Sequence, residues 1–135
     1  MSAQEYADAM LRDDAATKAL GIELLWVAEG RSRLQMIVRD DMVNGHGTAH
    51  GGIIAALADT AFAVACNSYG EATVASGFSI EFLQPGRVGD ELVAEAVEVA
   101  RHGRSGVYDV SVRRGDTVLA TFRGRSRSLG RPIEL

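Results

Sequence analysis

One stretch constrains this chain more than any other. From Ile53 to Cys66 every residue is apolar or small except Asp59 and Thr60. The run is a turn or two short of a membrane span and has a carboxylate at its middle, so it reads as a buried helix. With Gly51 and Gly52 before it and Gly70 as a stop, the pattern predicts one helix over Gly51–Tyr69. A helix apolar nearly all round must be covered on most sides. The expected cover is a curved sheet plus a second subunit.

The flanking segments supply such a sheet. Ile22, Leu24 and Trp26 alternate with Glu23, Leu25 and Val27, and Leu34, Met36 and Val38 repeat the period after Gly30. Beyond the helix, four strands are predicted near Val74–Leu83, Leu92–Arg101, Gly106–Arg114 and Val118–Ser126, with turns at Gly86, Gly103 and Gly115. Ser2–Leu20 has helical spacing after a Ser2 cap. Strand runs on either side of one helix predict an α+β fold with a largely antiparallel sheet. At 135 residues, with no repeat or linker, the whole of 1–135 reads as one domain.

Charge and cysteine usage narrow the function. A single cysteine, Cys66, excludes an intramolecular disulfide and a cysteine-built metal site. It favours a reducing, cytoplasmic setting, and the polar N-terminal segment lacks a signal-peptide core. Net charge is −4, yet eight arginines against three acids fill Val99–Leu135. That balance suits outward strand faces or a polyanionic ligand. Nucleic acid is disfavoured, because no aromatic–basic ribbon or helix-turn-helix pattern occurs. His46 and His50 are four apart but lie in a loop, and no His-Glu-x-x-His motif exists, so no metal or other cofactor is expected. Cys66, Trp26 and the phenylalanines read as core, with Phe62 also suited to lining an acyl pocket.

The segment Asn44-Gly-His-Gly-Thr-Ala-His-Gly-Gly52 leads into the helix and holds the chemistry. The first amides of a helix lack internal partners and carry a positive dipole. Glycine lets a carbonyl approach them closely, so Gly51 and Gly52 can form an oxyanion hole or simply a tight loop-to-helix turn. Asp59 is the only charged residue between His50 and Glu71. A carboxylate there is either a general base or nucleophile, or a polar anchor. Gly51 and Asp59 are eight residues apart, roughly 12 Å along one helix. A single carbonyl cannot touch both in one chain. Two antiparallel copies of the helix could present Gly51 of one subunit to Asp59 of the other, with Ala55, Ala56, Ala58 and Ala63 allowing close approach.

These residues resemble the phenylacetate-degradation branch of the hotdog acyl-CoA thioesterases. The resemblance rests on Asn44–Gly52, Leu57–Ala63, Ala65-Cys66-Asn67-Ser68, Ile80–Gly86 and Gly89-Asp90, and runs over nearly the whole chain. It implies an antiparallel sheet wrapped round the long helix, homodimers with a composite site pairing into homotetramers, and hydrolysis of acyl-CoA, phenylacetyl-type acyl groups included. Coenzyme A then enters as part of the substrate. By position, Gly51 supplies the oxyanion amide, Asp59 is the nucleophile or water-activating base, and Asn44 and His50 orient the thioester, water or the loop. Gly52 and Thr60 fall among the substrate-contacting residues, and Arg87, Arg101 and Arg104 become candidates for the CoA phosphates. Several relatives place a polar side chain on the strand after the helix, where Ala75 stands here with Ser76 and Ser79 nearby. Two other readings remain open: an enoyl-CoA hydratase of the same fold, and a non-catalytic acyl-CoA sensor.

Overall fold

In the computed structural model, which describes Met1–Leu135, α1 (Ala3–Arg12) begins at a Ser2 capping box. The Glu5 amide donates to Ser2 Oγ at 3.2 Å, and the Ser2 amide donates to Glu5 Oε1 at 3.3 Å. The expected single helix over Ser2–Leu20 is broken. Asp14 accepts from the Thr17 amide at 3.0 Å and starts α2 (Ala15–Ala19) afresh.

Six strands follow: β1 (Glu23–Ala28), β2 (Arg31–Ile37), β3 (Glu71–Phe82), β4 (Glu91–His102), β5 (Ser105–Arg114) and β6 (Thr117–Pro132). They form one antiparallel sheet in the order β1-β2-β4-β5-β6-β3. The crossover between β2 and β3 is the apolar helix, α3 (Gly51–Cys66). It lies against the sheet, in contact chiefly with β4, β2 and β5. This is the hotdog arrangement, an α+β fold.

The core forms where α3 meets the sheet. Ile54, Leu57, Ala58, Ala61, Phe62, Val64 and Ala65 are buried against Leu34, Met36, Leu92, Val110, Val112 and Phe122. Burying a side chain such as Leu57 or Phe62 contributes roughly 1.5–3 kcal/mol. Phe62 lies so close to β6 that a Cβ on Gly124 would be 2.8 Å from its ring. Two buried hydroxyls tie the helix down: Ser32 Oγ donates to the Ala61 carbonyl at 2.7 Å, and Ser68 Oγ accepts the Gly30 amide at 2.7 Å.

Four expectations are corrected. The helix ends at Cys66 rather than Tyr69, because the Asn67 side chain donates to the carbonyls of Ala63 (2.8 Å) and Thr73 (3.0 Å) and accepts the Thr73 amide (2.9 Å), turning the chain into β3. β6 runs to Pro132 rather than Ser126, since β3 offers it partners as far as Glu71. A bulge between Leu24 and Trp26 rotates Trp26 out of the core, where it is 43% exposed beneath Arg31. Phe78 and Phe82, on the edge strand β3, are also only half covered.

Candidate active site

Gly51 opens α3 beside an ordered loop. His50 is the N-cap, and its Nδ1 accepts the Gly52 amide at 2.9 Å. With Nδ1 accepting in that bond, the ring's outward donor is Nε2. The His50 carbonyl takes the amides of Ile53 and Ile54. Within this first turn the Gly51 N–H has no acceptor in the chain. Gly51 lines a pocket of about 360 Å³ with Asn44, Thr48 and Ala49 from its own segment and Phe82, Leu83, Gln84 and Pro85 from another.

Asn44 organises the loop in front. Its Oδ1 accepts the amides of His46 (2.9 Å) and Thr48 (3.2 Å) and the Thr48 hydroxyl (3.2 Å). Its Nδ2 donates to nothing in the chain, and Asn44 lines the same pocket as Gly51. Of the roles considered for Asn44, shaping the loop is therefore built into the fold.

Asp59 lies two turns into α3, half-buried, with neither a hydrogen-bond nor an ion-pair partner. Burial pushes its carboxyl pKa up. It belongs to a partly exposed stripe of α3 with Ala55, Ala56, Thr60 and Ala63. Ala58 is on the opposite side, fully buried against the sheet, and so cannot serve helix–helix approach as expected. The Thr60 hydroxyl donates to the Ala56 carbonyl at 2.7 Å.

The arginines do not converge within one chain. Arg87 is on the β3–β4 connection, at the Gly51 end of α3. Arg101 and Arg104 are on the β4–β5 hairpin, at the Cys66 end. The Arg101 guanidinium stacks 3.5 Å from the Tyr69 ring centroid, 3.6 Å from Glu98, and Arg104 packs against Gly130. Ser76 Oγ donates to the Arg125 carbonyl, and Ser79 pairs across from Arg123 on the outer face. Cys66 is buried with its thiol pKa pushed up to about 12, as suits a core residue. No group of three or more His, Cys, Asp and Glu side chains is placed to hold a metal ion. No helix is long and apolar enough to cross a membrane.

The sequence analysis missed the wall Phe82–Pro85. Pro85-Gly86 signalled a turn, but nothing local showed that this turn faces the 44–51 loop. The Ala49 amide donates to the Gly86 carbonyl at 2.8 Å, and a Cβ on Gly86 would meet Ala49 at 3.1 Å.

Comparison with known proteins bears on this geometry. Residues 46–121 match the sequence profile of the Thioesterase superfamily. The chain is 47% identical over 133 residues to the acyl-coenzyme A thioesterase PaaI of Escherichia coli, covering 97% of this chain and 94% of that protein. It superposes on the structure of the E. coli PaaI protein from the phenylacetic acid degradation operon with a TM-score of 0.95, at 44% identity over 98% of this chain and 96% of that one. A Streptococcus mutans protein solved bound to acetyl-CoA matches with a TM-score of 0.79, at 26% identity over 82% of this chain and 90% of that one.

Proposed function

This chain belongs to the thioesterase superfamily and is a thioester hydrolase, and from that premise we propose that it hydrolyses acyl-CoA at a site shared between two antiparallel copies of α3. The observation that carries this reading is Asp59: a half-buried carboxylate on an otherwise apolar helix, with no partner in its own chain. A group left in that state suits a base or nucleophile whose counterpart comes from elsewhere. Its counterpart is the free Gly51 amide of a second subunit. That amide, at the positive end of a helix, stabilises the oxyanion as the thioester carbonyl is attacked.

Asp59 acts ionised, either attacking the carbonyl to form an anhydride that water then cleaves, or taking a proton from the attacking water; in both cases a proton from that water ends on the departing sulfur. Coenzyme A leaves as the thiol. His50 holds the first turn in shape through Gly52, and the free Asn44 Nδ2 faces the thioester or the water. Thr60 lies one residue beyond Asp59 on the same stripe, where it contacts the substrate beside the carboxylate. Antiparallel pairing brings Arg101 and Arg104 of the partner subunit toward the end that bears Arg87. The three then frame one mouth for the CoA phosphates. The half-exposed apolar stripe of α3 and the edge strand β3 form the dimer contact, and dimers pair into tetramers. Aromatic acyl groups of the phenylacetyl type are the expected substrates, in keeping with the PaaI likeness.

The test is free-thiol release from a panel of aromatic and aliphatic acyl-CoAs, with Asp59→Asn alongside. Release by the wild type and a loss of about 10²–10⁴ in the variant support the mechanism. A fully active, folded variant removes Asp59 from it. Hydration of an enoyl-CoA with no thiol released, or binding without turnover, replaces hydrolysis as the function.

A further inference from the structure

An ion pair outside the site is built into its geometry. Asp90 begins the approach to β4, and Arg114 ends β5. Asp90 Oδ2 accepts from Arg114 Nη1 at 2.9 Å and from the Arg87 amide at 2.9 Å. The same Arg114 nitrogen donates to the Pro85 carbonyl at 3.2 Å. One guanidinium thus fixes both ends of the turn 85–90. The next carbonyl in that turn, that of Gly86, accepts the Ala49 amide at 2.8 Å, and Ala49 is two residues before Gly51. Pro85 itself lines the pocket facing Gly51.

Gly86 leaves no slack in this linkage. Its α-carbon packs so tightly that an added Cβ would meet Ala49 at 3.1 Å and Leu119 at 3.4 Å. A shift of the turn therefore moves the Ala49–Gly51 backbone with it. The hydrogen bond from Arg114 holds the Asp90 carboxyl below the usual range, so the pair stays charged at neutral pH. Partly exposed pairs contribute little to global stability, which makes placement of the turn the larger consequence of this one.

We infer that Asp90 and Arg114 are positioning residues that set the Gly51 amide and the facing Pro85 wall for thioester hydrolysis. The inference rests on the acyl-CoA reading above. Misplacing a catalytic group by about 1 Å can lower turnover by about a hundredfold, and a smaller shift costs correspondingly less.

The test compares Arg114→Met with Arg123→Met, which breaks the Asp109–Arg123 pair on the outer sheet face, at 2.6 Å the shorter ion pair of the two. Arg114→Met should lower kcat for acyl-CoA about tenfold, with little change in KM or Tm, and should shift the Ala49 and Gly51 amide resonances. Arg123→Met should change neither kcat nor those resonances. Arg114→Lys, which keeps the charge but not the bridging fork, should fall between. Wild-type kcat in Arg114→Met, or a loss of kcat with the Gly51 resonance unmoved, overturns the inference. Should the wild type release no thiol at all, the hydrolase reading fails on its own. The amide shifts then still decide whether the pair sets the Gly51 backbone.

Discussion

Replacing Gly51 by alanine should move activity and stability in opposite directions. The added Cβ would be 3.1 Å from Phe82 Cζ and 3.5 Å from the two Cε atoms. Ordinary carbon contacts are about 3.5–4.0 Å, so the ring must retreat by roughly half an ångström. Phe82 is 51% exposed, so the ring has room to move and the clash is mild. Gly51 has no positive φ, and alanine in a helix is favoured over glycine by up to about 1 kcal/mol. For 135 residues the unfolding entropy is about 0.28 kcal/mol per kelvin, which makes the gain at most about 4 °C in Tm. Activity should fall all the same. The methyl crowds the pocket beside the amide and Phe82, and because the N–H itself is kept the loss in kcat should stay below the roughly 10²–10³ that removing an oxyanion donor costs. The assay is thiol release together with a thermal scan of the same sample. An alanine variant that keeps wild-type kcat refutes the approach of the thioester through the space between Gly51 and Phe82. One that loses activity and melts well below wild type shows instead that the glycine is needed for the fold.

Other outcomes follow from particular contacts. Asp59 must be ionised to act and its pKa is raised by burial, so kcat should be flat at neutral pH and fall as pH drops through a value above the usual carboxylate range. The folded chain holds that proton more tightly than the unfolded chain, so the Asp59 contribution to stability declines as pH rises through the interval between the two pKa values. Asp59→Asn should accordingly melt no lower than wild type at neutral pH, with the difference closing in acid; a variant markedly less stable at neutral pH contradicts this. Gly124→Ala forces a methyl against the Phe62 ring and should cost about 1–3 kcal/mol, lowering Tm by about 4–10 °C. Adding Phe62→Leu should recover part of that loss, and additive effects in the double variant would exclude the contact. Cys66, with its thiol pKa near 12, should resist iodoacetamide at about pH 8 until the chain is unfolded, as read by intact mass.

Much of the fold was legible because its signals are local. Period-two alternation marked β4 and β5 to within a residue at each end and found β2 from Leu34 on, three residues after its start at Arg31. The Ser2 cap and the glycine-led entry to α3 gave helix starts. The alternation failed at β1, where a bulge displaced Trp26. It stopped short on β6, whose last six residues are serine, leucine, glycine, arginine and proline beside Arg127 and are strand because β3 pairs with them.

The site was legible in part. Asp59 stands out by contrast, one charge in a long apolar run, and Asn44, His50 and Gly51 by their place at the helix entry. The sidedness of α3 was not, because a helix apolar all round has no preferred face in its sequence. Only packing shows that Ala58 faces the sheet while Asp59 and Ala63 are left half-exposed.

The sequence by itself determined the element types, the antiparallel α+β class and the chemical candidates, since propensity, periodicity and an out-of-place charge all act within a few residues. Tertiary structure alone decided what faces what. The pocket joins residues 44–51 to 82–85, and the Arg114 clamp joins β5 to the β3–β4 turn. Such contacts depend on sheet order and bulge position, which are set by how six strands close over one helix, a global balance of burial that no short window of sequence contains.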